Sequence, residues 1–266
     1  MFPLIINLPR STDRKATLDT RLNPYFEEYH IIEGVDGSRL FETEYVTELS
    51  KSLNIPFCNL LPSYFMDRKN FMSYCRNEQK IINKVGCLLS HLKCLKYIVD
   101  NNISHALILE DDFKLNKNID NHKKRFMESS NLITYLGGWG RGDIPTISNI
   151  TEDFPLTDFE LYGTFGYLIQ NTENAQYILN LLYSGFNEGV GRVKLKPNFN
   201  PKVGRLKLMS IDLFYKKFIH NRSVCLYPIS VEPDDLFESL IDKKNQNKRY
   251  GLKCISKLKP KVEIII

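Results

Sequence analysis

No apolar run in the 266-residue chain approaches the ~18 residues that a membrane-crossing helix requires. The six cysteines (Cys58, Cys75, Cys87, Cys94, Cys225, Cys254) form no CxxC pair, so buried free thiols in a reducing cytosol are the expectation. The five histidines (His30, His91, His105, His122, His220) show no metal-ligand spacing, although His220 could complete a metal site in the folded chain. Internal repeats and low-complexity segments are absent. The opening MFPLIINLPRSTDR places a short apolar run ahead of Arg10, the reverse of a secretory signal with its basic leader. Two tracts lack acidic residues: 189–209 carries six basic residues, and 243–261 carries eight.

What is present belongs to a water-soluble globular protein, with 42% apolar and 25% charged residues. The length suits one large domain over 1–240 followed by a basic C-terminal tail, 241–266. A net charge of +5 suits phosphates, nucleic acid or anionic lipid without choosing among them.

Along the chain, PLIINL (3–8) reads as a buried first strand. STDRKATLDTRL reads as a helix that Ser11 or Thr12 can cap, and a second strand over 29–32 runs into a turn at Asp36-Gly37. Strand–helix–strand alternation favours a parallel sheet. Residues 41–80 are polar and irregular and read as an excursion with short helices. GCLLSHLKCLKYIVDNN is the clearest helix, with Leu88, Leu92, Leu95 and Val99 on one stripe and Asn101-Asn102 ending it. The strand ALIL follows, then a helix over 119–130, a strand at 132–136 and the glycine-rich GGWGRGD. YGTFGYLIQ (162–170) reads as one strand, followed by a helix over 172–182. SIDLFYKKFIHN reads as a helix and SVCLYPISV as a late strand.

Three carboxylates, Glu110, Asp111 and Asp112, end the apolar strand ALIL. Two of them ~5 Å apart repel by roughly 3 kcal/mol at an effective dielectric near 20, so the arrangement calls for water or a cation. Ligands of open α/β sheets bind at the carboxyl ends of strands. Residues i and i+2 point the same way in extended chain, so Glu110 and Asp112 could share a hard divalent ion bound by oxygens; an acidic helix start is the alternative. Asn7, Arg10 and Arg14 stand at or just after the end of the first strand, where a helix start and arginine forks suit phosphate. Ser90 and His91 are adjacent on a helix and so diverge, which argues against a nucleophile–base pair. His91 is a structural histidine or a donor to a ligand hydroxyl. Gly163 and Gly166 inside a strand mark a bulge or a close approach. Asp212 is a helix cap or a general base, with Glu232, Asp234 and Asp235 as rivals.

INLPRSTDR, GVDG, GCLLSHLKCLKYI, ALILEDD, YGTFGYLI and SIDLF occur in an order that resembles glycosyltransferase family 25, over about residues 3–235. That family includes bacterial lipooligosaccharide galactosyltransferases and collagen galactosyltransferase domains. The resemblance implies an α/β, GT-A-like nucleotide-sugar-binding sandwich whose mainly parallel central sheet is flanked by helices. It implies a UDP-sugar donor and a divalent cation, Mn²⁺ or Mg²⁺, at the acidic motif. By position, Asn7, Leu8, Arg10 and Arg14 match the first donor motif, Asp36 and Gly37 the second, and Ser90 and His91 the serine–histidine pair. Glu110, Asp111 and Asp112 match the acidic motif, with Asp112 and Glu110 on the metal and Asp111 beside the donor. Asp212 matches an aspartate after the glycine–tyrosine strand and is the expected base.

The expected reaction is transfer of a hexose, galactose first, to a saccharide acceptor with inversion. The acceptor is lipid-linked if the basic tail rests on an anionic membrane from the cytoplasmic side. A metal-dependent phosphotransferase or nuclease is the competing enzyme class, but two-metal chemistry gathers more carboxylates than this one cluster. A non-catalytic sugar- or nucleic-acid-binding module is the third reading. The basic tracts lack an interleaved aromatic motif, so no nucleic-acid partner is expected.

Overall fold

The structure, a computed structural model, describes residues 1–60, 78–126, 130–137, 139–141, 154–156, 160–187, 211–226, 230–234 and 252–254. The basic tract 189–209, Asp235, most of the tail and the LPSYFMDRKNFMSY stretch lie outside them. The strands are β1 (Phe2–Asn7), β2 (His30–Glu33), β3 (Ala106–Glu110), β4 (Phe113–Leu115), β5 (Ile133–Tyr135), β6 (Trp139–Arg141), β7 (Phe154–Pro155), β8 (Glu160–Tyr162), β9 (Gly166–Ile169), β10 (Ser223–Cys225), β11 (Val231–Pro233) and β12 (Leu252–Cys254). The helices are α1 (Thr12–Ala16), α2 (Leu18–Leu22), α3 (Thr43–Leu53), α4 (Phe57–Leu60), α5 (Glu78–Asp100), α6 (Asn118–Phe126), α7 (Thr172–Asn187) and α8 (Ile211–Phe218).

Seven strands form the central sheet in the order β2-β1-β3-β9-β5-β10-β7. β1 pairs in parallel with β2 and β3, and β5 with β10. β9 runs antiparallel between β3 and β5, and β7 antiparallel at the edge. Most of the sheet therefore runs one way, as expected.

Apolar side chains alternate across it. Leu4, Ile6, Ala106, Ile108, Tyr167 and Ile169 enter one core with α3, α5, α7 and α8. Ile5, Leu107, Leu109 and Leu168 enter the other with α2, α6 and Phe113. Strands covered on both faces need continuous apolar runs, which explains PLIIN and ALIL. Burying each of their Leu and Ile side chains contributes roughly 1.5–3 kcal/mol.

Several sequence expectations change. STDRKATLDTRL is two short helices: the Thr17 hydroxyl donates to the Arg14 carbonyl at 2.8 Å and the Thr17 N–H donates to the same oxygen, a local alternative to helix continuation. Ser11 makes no side-chain cap. YGTFGYLIQ is not one strand. Gly163 adopts φ 90°, which only glycine tolerates readily, and this break separates β8, in a small sheet with β6 and β12, from β9. SVCLYPISV likewise divides into β10 of the central sheet and β11, which pairs with β4. The leucine-striped helix starts earlier, at Glu78. Within the basic tail, Leu252–Cys254 pairs antiparallel with β6. Among the described residues no helix is long and apolar enough to cross a membrane.

Candidate functional site

β1 and β3 are parallel neighbours, with Ile6 opposite Glu110. Their carboxyl ends therefore deliver Asn7 and the three carboxylates to the same edge of the sheet. The cleft there is lined by Leu8, Arg10, Arg14, Gly37, Ser90, His91, Glu110, Asp111 and Asp112, together with Asn83 and Cys87.

The carboxylates divide. Asp111 turns inward, its side chain 8% exposed, and accepts from Arg14 at 2.6 Å and from Asn7 at 2.7 Å. Arg21 adds bonds from its guanidinium to the Asp111 and Phe113 carbonyls, both at 2.9 Å. Burial opposes the Arg14 charge, but Asp111 and Asp112 outweigh it and raise its pKa above the usual value. Burial lifts the Asp111 carboxyl, against the pull of Arg14 and Asn7. This cluster locks α1 onto the ends of β1 and β3.

Asp112 lies on the cleft side, 23% exposed, with Arg14 at 3.6 Å. Burial and the neighbouring Glu110 charge push its carboxyl up to about 7. At Glu110 burial also opposes charge. The hydrogen bond and charge of His91, the Thr164 hydroxyl and Arg14 overcome it and hold this carboxyl below its usual range. The Thr164 hydroxyl donates to Glu110 Oε1 at 2.6 Å, and His91 Nε2 lies 3.4 Å from the same oxygen. His91 itself is fully buried, its Nδ1 2.8 Å from the Tyr167 hydroxyl, which lies 3.1 Å from that of Tyr215.

Along the wall that Val35 and Gly37 contribute, Arg10 meets Asp36 at 2.5 Å. Asp36 also accepts from the Ser38 N–H at 2.9 Å, capping a short 3-10 turn at Gly37–Arg39. Ser90 accepts the Val35 N–H at 2.8 Å and donates to the Gly86 carbonyl at 2.7 Å, so its bonds tie α5 to that wall. A Cβ on Gly86 would sit 2.6 Å from the Val35 oxygen, and one on Gly37 2.1 Å from the Ile82 oxygen. Only glycines allow α5 and the turn this close.

Asp212 stands outside the cleft lining, in the first turn of α8. Its charge, behind burial and that of Glu110, helps push the Cys87 thiol well above its usual pKa. Of its rivals, Asp234 reaches the acidic turn: its N–H donates to the Asp112 carbonyl at 2.6 Å. Glu232 is the register partner of Lys114 in the β4–β11 ladder. His220 packs edge-on against Tyr135, away from the cleft-lining residues.

The sequence assigns no site role to Gly86, Cys87, Thr164, Tyr167 or Tyr215. A glycine inside a helical pattern was the available signal for Gly86, and Cys87 lies one turn before His91. Gly163 and Gly166 flagged the stretch that holds Thr164 and adjoins Tyr167, but nothing local ties these residues or Tyr215 to Glu110 and His91, which the fold brings in from other elements.

The model of glycosyltransferase family 25 (LPS biosynthesis protein) matches residues 1–187. The chain belongs to this family. Among its relatives, procollagen galactosyltransferase 2 of Homo sapiens is 27% identical over 187 residues, 66% of this chain and 26% of that protein. The Mus musculus protein of the same name is also 27% identical, over 27% of its length. This family 25 chain thus spans about a quarter of the curated relatives it matches. A solved structure, galactosyltransferase LgtC in complex with donor and acceptor sugar analogs, shares 9% identity over 88% of this chain and 87% of its own, with a TM-score of 0.40.

Proposed function

We propose that this chain is a GT-A-like glycosyltransferase that moves a hexose, galactose first, from a UDP-sugar to a saccharide hydroxyl with inversion. The observation that carries this reading is the convergence of the β1 and β3 ends on one cleft, which sets an acidic turn against Arg10 and Arg14. Family membership and relatives named as galactosyltransferases support it.

Mn²⁺ or Mg²⁺ suits the donor set, because Asp112 and Glu110 offer carboxylate oxygens to the cleft and hard cations take oxygen ligands. The raised Asp112 carboxyl supports the same assignment: Arg14 alone does not balance the pair. When bound, the cation would neutralise charge on the departing diphosphate. Arg10, 42% exposed at the rim, supplies a guanidinium fork for phosphate oxygens. Leu8 and Gly37 line the cleft as apolar and backbone surface for the nucleoside end. Asp212, outside the donor cleft lining but near enough for its charge to act on Cys87, is the base assigned to the acceptor side, taking the hydroxyl proton during attack from the face opposite the leaving group.

Asp212→Asn should slow the chemical step by ~10²–10⁴, measured as UDP release against an acceptor panel of saccharides and hydroxylysine peptides. A loss of only a few-fold would remove Asp212 as the base. Asp234→Asn, beside Asp112, is then the variant to carry the loss.

The acceptor is read as lipid-linked, with the basic tail on an anionic membrane, where each Lys or Arg near the surface contributes ~1 kcal/mol. The chain spanning residues 1–266 should co-sediment with anionic vesicles, and a chain ending at residue 240 should not. Equal sedimentation of the two would end that assignment.

A further inference from the structure

Cys87 has no part in the proposed transfer, yet it lies one helical turn before His91, on the same face of α5. Both line the cleft with Glu110, which arrives from the end of β3. The Cys87 sulfur, a ring nitrogen of His91 and a carboxylate oxygen of Glu110 all lie within 4.8 Å of one another. The 3.4 Å between His91 Nε2 and Glu110 Oε1 is close to the edge of a tetrahedron around an ion with bonds of about 2.0–2.1 Å. We infer that Cys87, His91 and Glu110 form a binding site for a thiophilic divalent cation of the zinc class.

The surrounding groups suit that role. The Tyr167 hydroxyl lies 2.8 Å from His91 Nδ1, and the Thr164 hydroxyl donates to Glu110 at 2.6 Å. Metal-binding histidines are oriented in this way, by a partner on the ring nitrogen that does not touch the ion. With the Nδ1–H donated to Tyr167, the Nε2 lone pair is left for the cation. The Tyr167 hydroxyl keeps its proton and is hydrogen-bonded in turn to that of Tyr215, 3.1 Å away. Binding releases to solvent both the Cys87 thiol proton and the Nε2 proton through which His91 bonds Glu110, so the ion meets a thiolate and a ring lone pair. Three protein ligands leave a fourth position open to the cleft, as in zinc sites that exchange a ligand.

Thiolate and imidazole select zinc, whereas carboxylates alone suit Mg²⁺ and Mn²⁺. The two kinds of ion therefore share the cleft while preferring different ligands. They meet at Glu110, so Zn²⁺ should depress Mn²⁺-supported transfer. That consequence, unlike the site itself, rests on the role proposed above for Glu110.

Co²⁺ titration of the full chain tests the site without turnover. The expected result is a near-ultraviolet sulfur-to-cobalt band that Zn²⁺ erases and Mg²⁺ leaves intact. Cys87→Ser should lose the band, and Tyr167→Phe should weaken Co²⁺ binding by about 10- to 100-fold. Should Cys87→Ser fail to fold, maleimide labelling of Cys87 in the unaltered protein, read by peptide mass spectrometry, gives the second answer. Zn²⁺ should block that labelling and Mg²⁺ should not. No cobalt band, a band that survives in folded Cys87→Ser, or labelling indifferent to Zn²⁺ would overturn the site. Each of these results leaves Mn²⁺-dependent transfer to stand or fall on its own assay.

Discussion

Asp111 and Asp112 are adjacent in the chain and occupy opposite electrostatic settings. Asp111 is enclosed and satisfied, its two oxygens taken by Arg14 and Asn7. Asp112 faces the cleft beside Glu110, and its carboxyl rises to about 7 because burial and that neighbour work against its charge. The cause is the end of β3 at Glu110. Past that point the chain turns, and successive side chains part between the α1 scaffold and the cleft. One acidic triplet thus holds the fold with one member and offers the other two to a ligand.

The largest expected effect lies on the cleft side. Asp112→Ala should lower UDP-sugar turnover by about 10³ or more, given the several kcal/mol that a cation contributes to such charge development. Its melting temperature in the absence of metal should fall no lower than that of the unaltered protein, since a strained carboxylate has been removed. Asp111→Ala should do the reverse to stability. It leaves Arg14 buried without its main partner and should destabilise the fold by about 3–5 kcal/mol in urea titration. A stable Asp111→Ala protein would erase the distinction between the two aspartates.

A smaller effect is the pH dependence of cation binding. The cation needs the Asp112 carboxylate, whose fraction grows as pH rises through about 7. Mn²⁺ affinity should therefore climb by about tenfold per pH unit below 7 and level off above it. In Asp112→Asn this slope should vanish. A pH-independent affinity in the unaltered protein would place the ion elsewhere.

The pieces of the cleft that lie in continuous sequence were legible before folding. PLIIN and ALIL read as buried strands because both of their faces are apolar, and the carboxylates marked where β3 stops. The helix carrying Ser90 and His91 showed in its leucine stripe. What stayed hidden depends on distant pairing. β9 inserts antiparallel between β3 and β5, and no local pattern encodes that neighbour choice. It is this insertion that sets Tyr167 against His91. The division of labour between Asp111 and Asp112 was equally out of reach, because it depends on Arg14 arriving from a helix that the sequence reading ran together as one. Ser90 lines the cleft, and its two hydrogen bonds also pin α5 to the loop after β2, a tie that no local pattern announces.

Calorimetric titration of Mn²⁺ with UDP into the unaltered protein, Asp112→Ala and Asp111→Asn at pH 8 tests the central claim most directly. The account predicts saturable Mn²⁺ binding in the unaltered protein and none in a folded Asp112→Ala. Whatever fraction of Asp111→Asn is folded should retain binding. Unchanged Mn²⁺ affinity in Asp112→Ala, or its loss in folded Asp111→Asn alone, would contradict it.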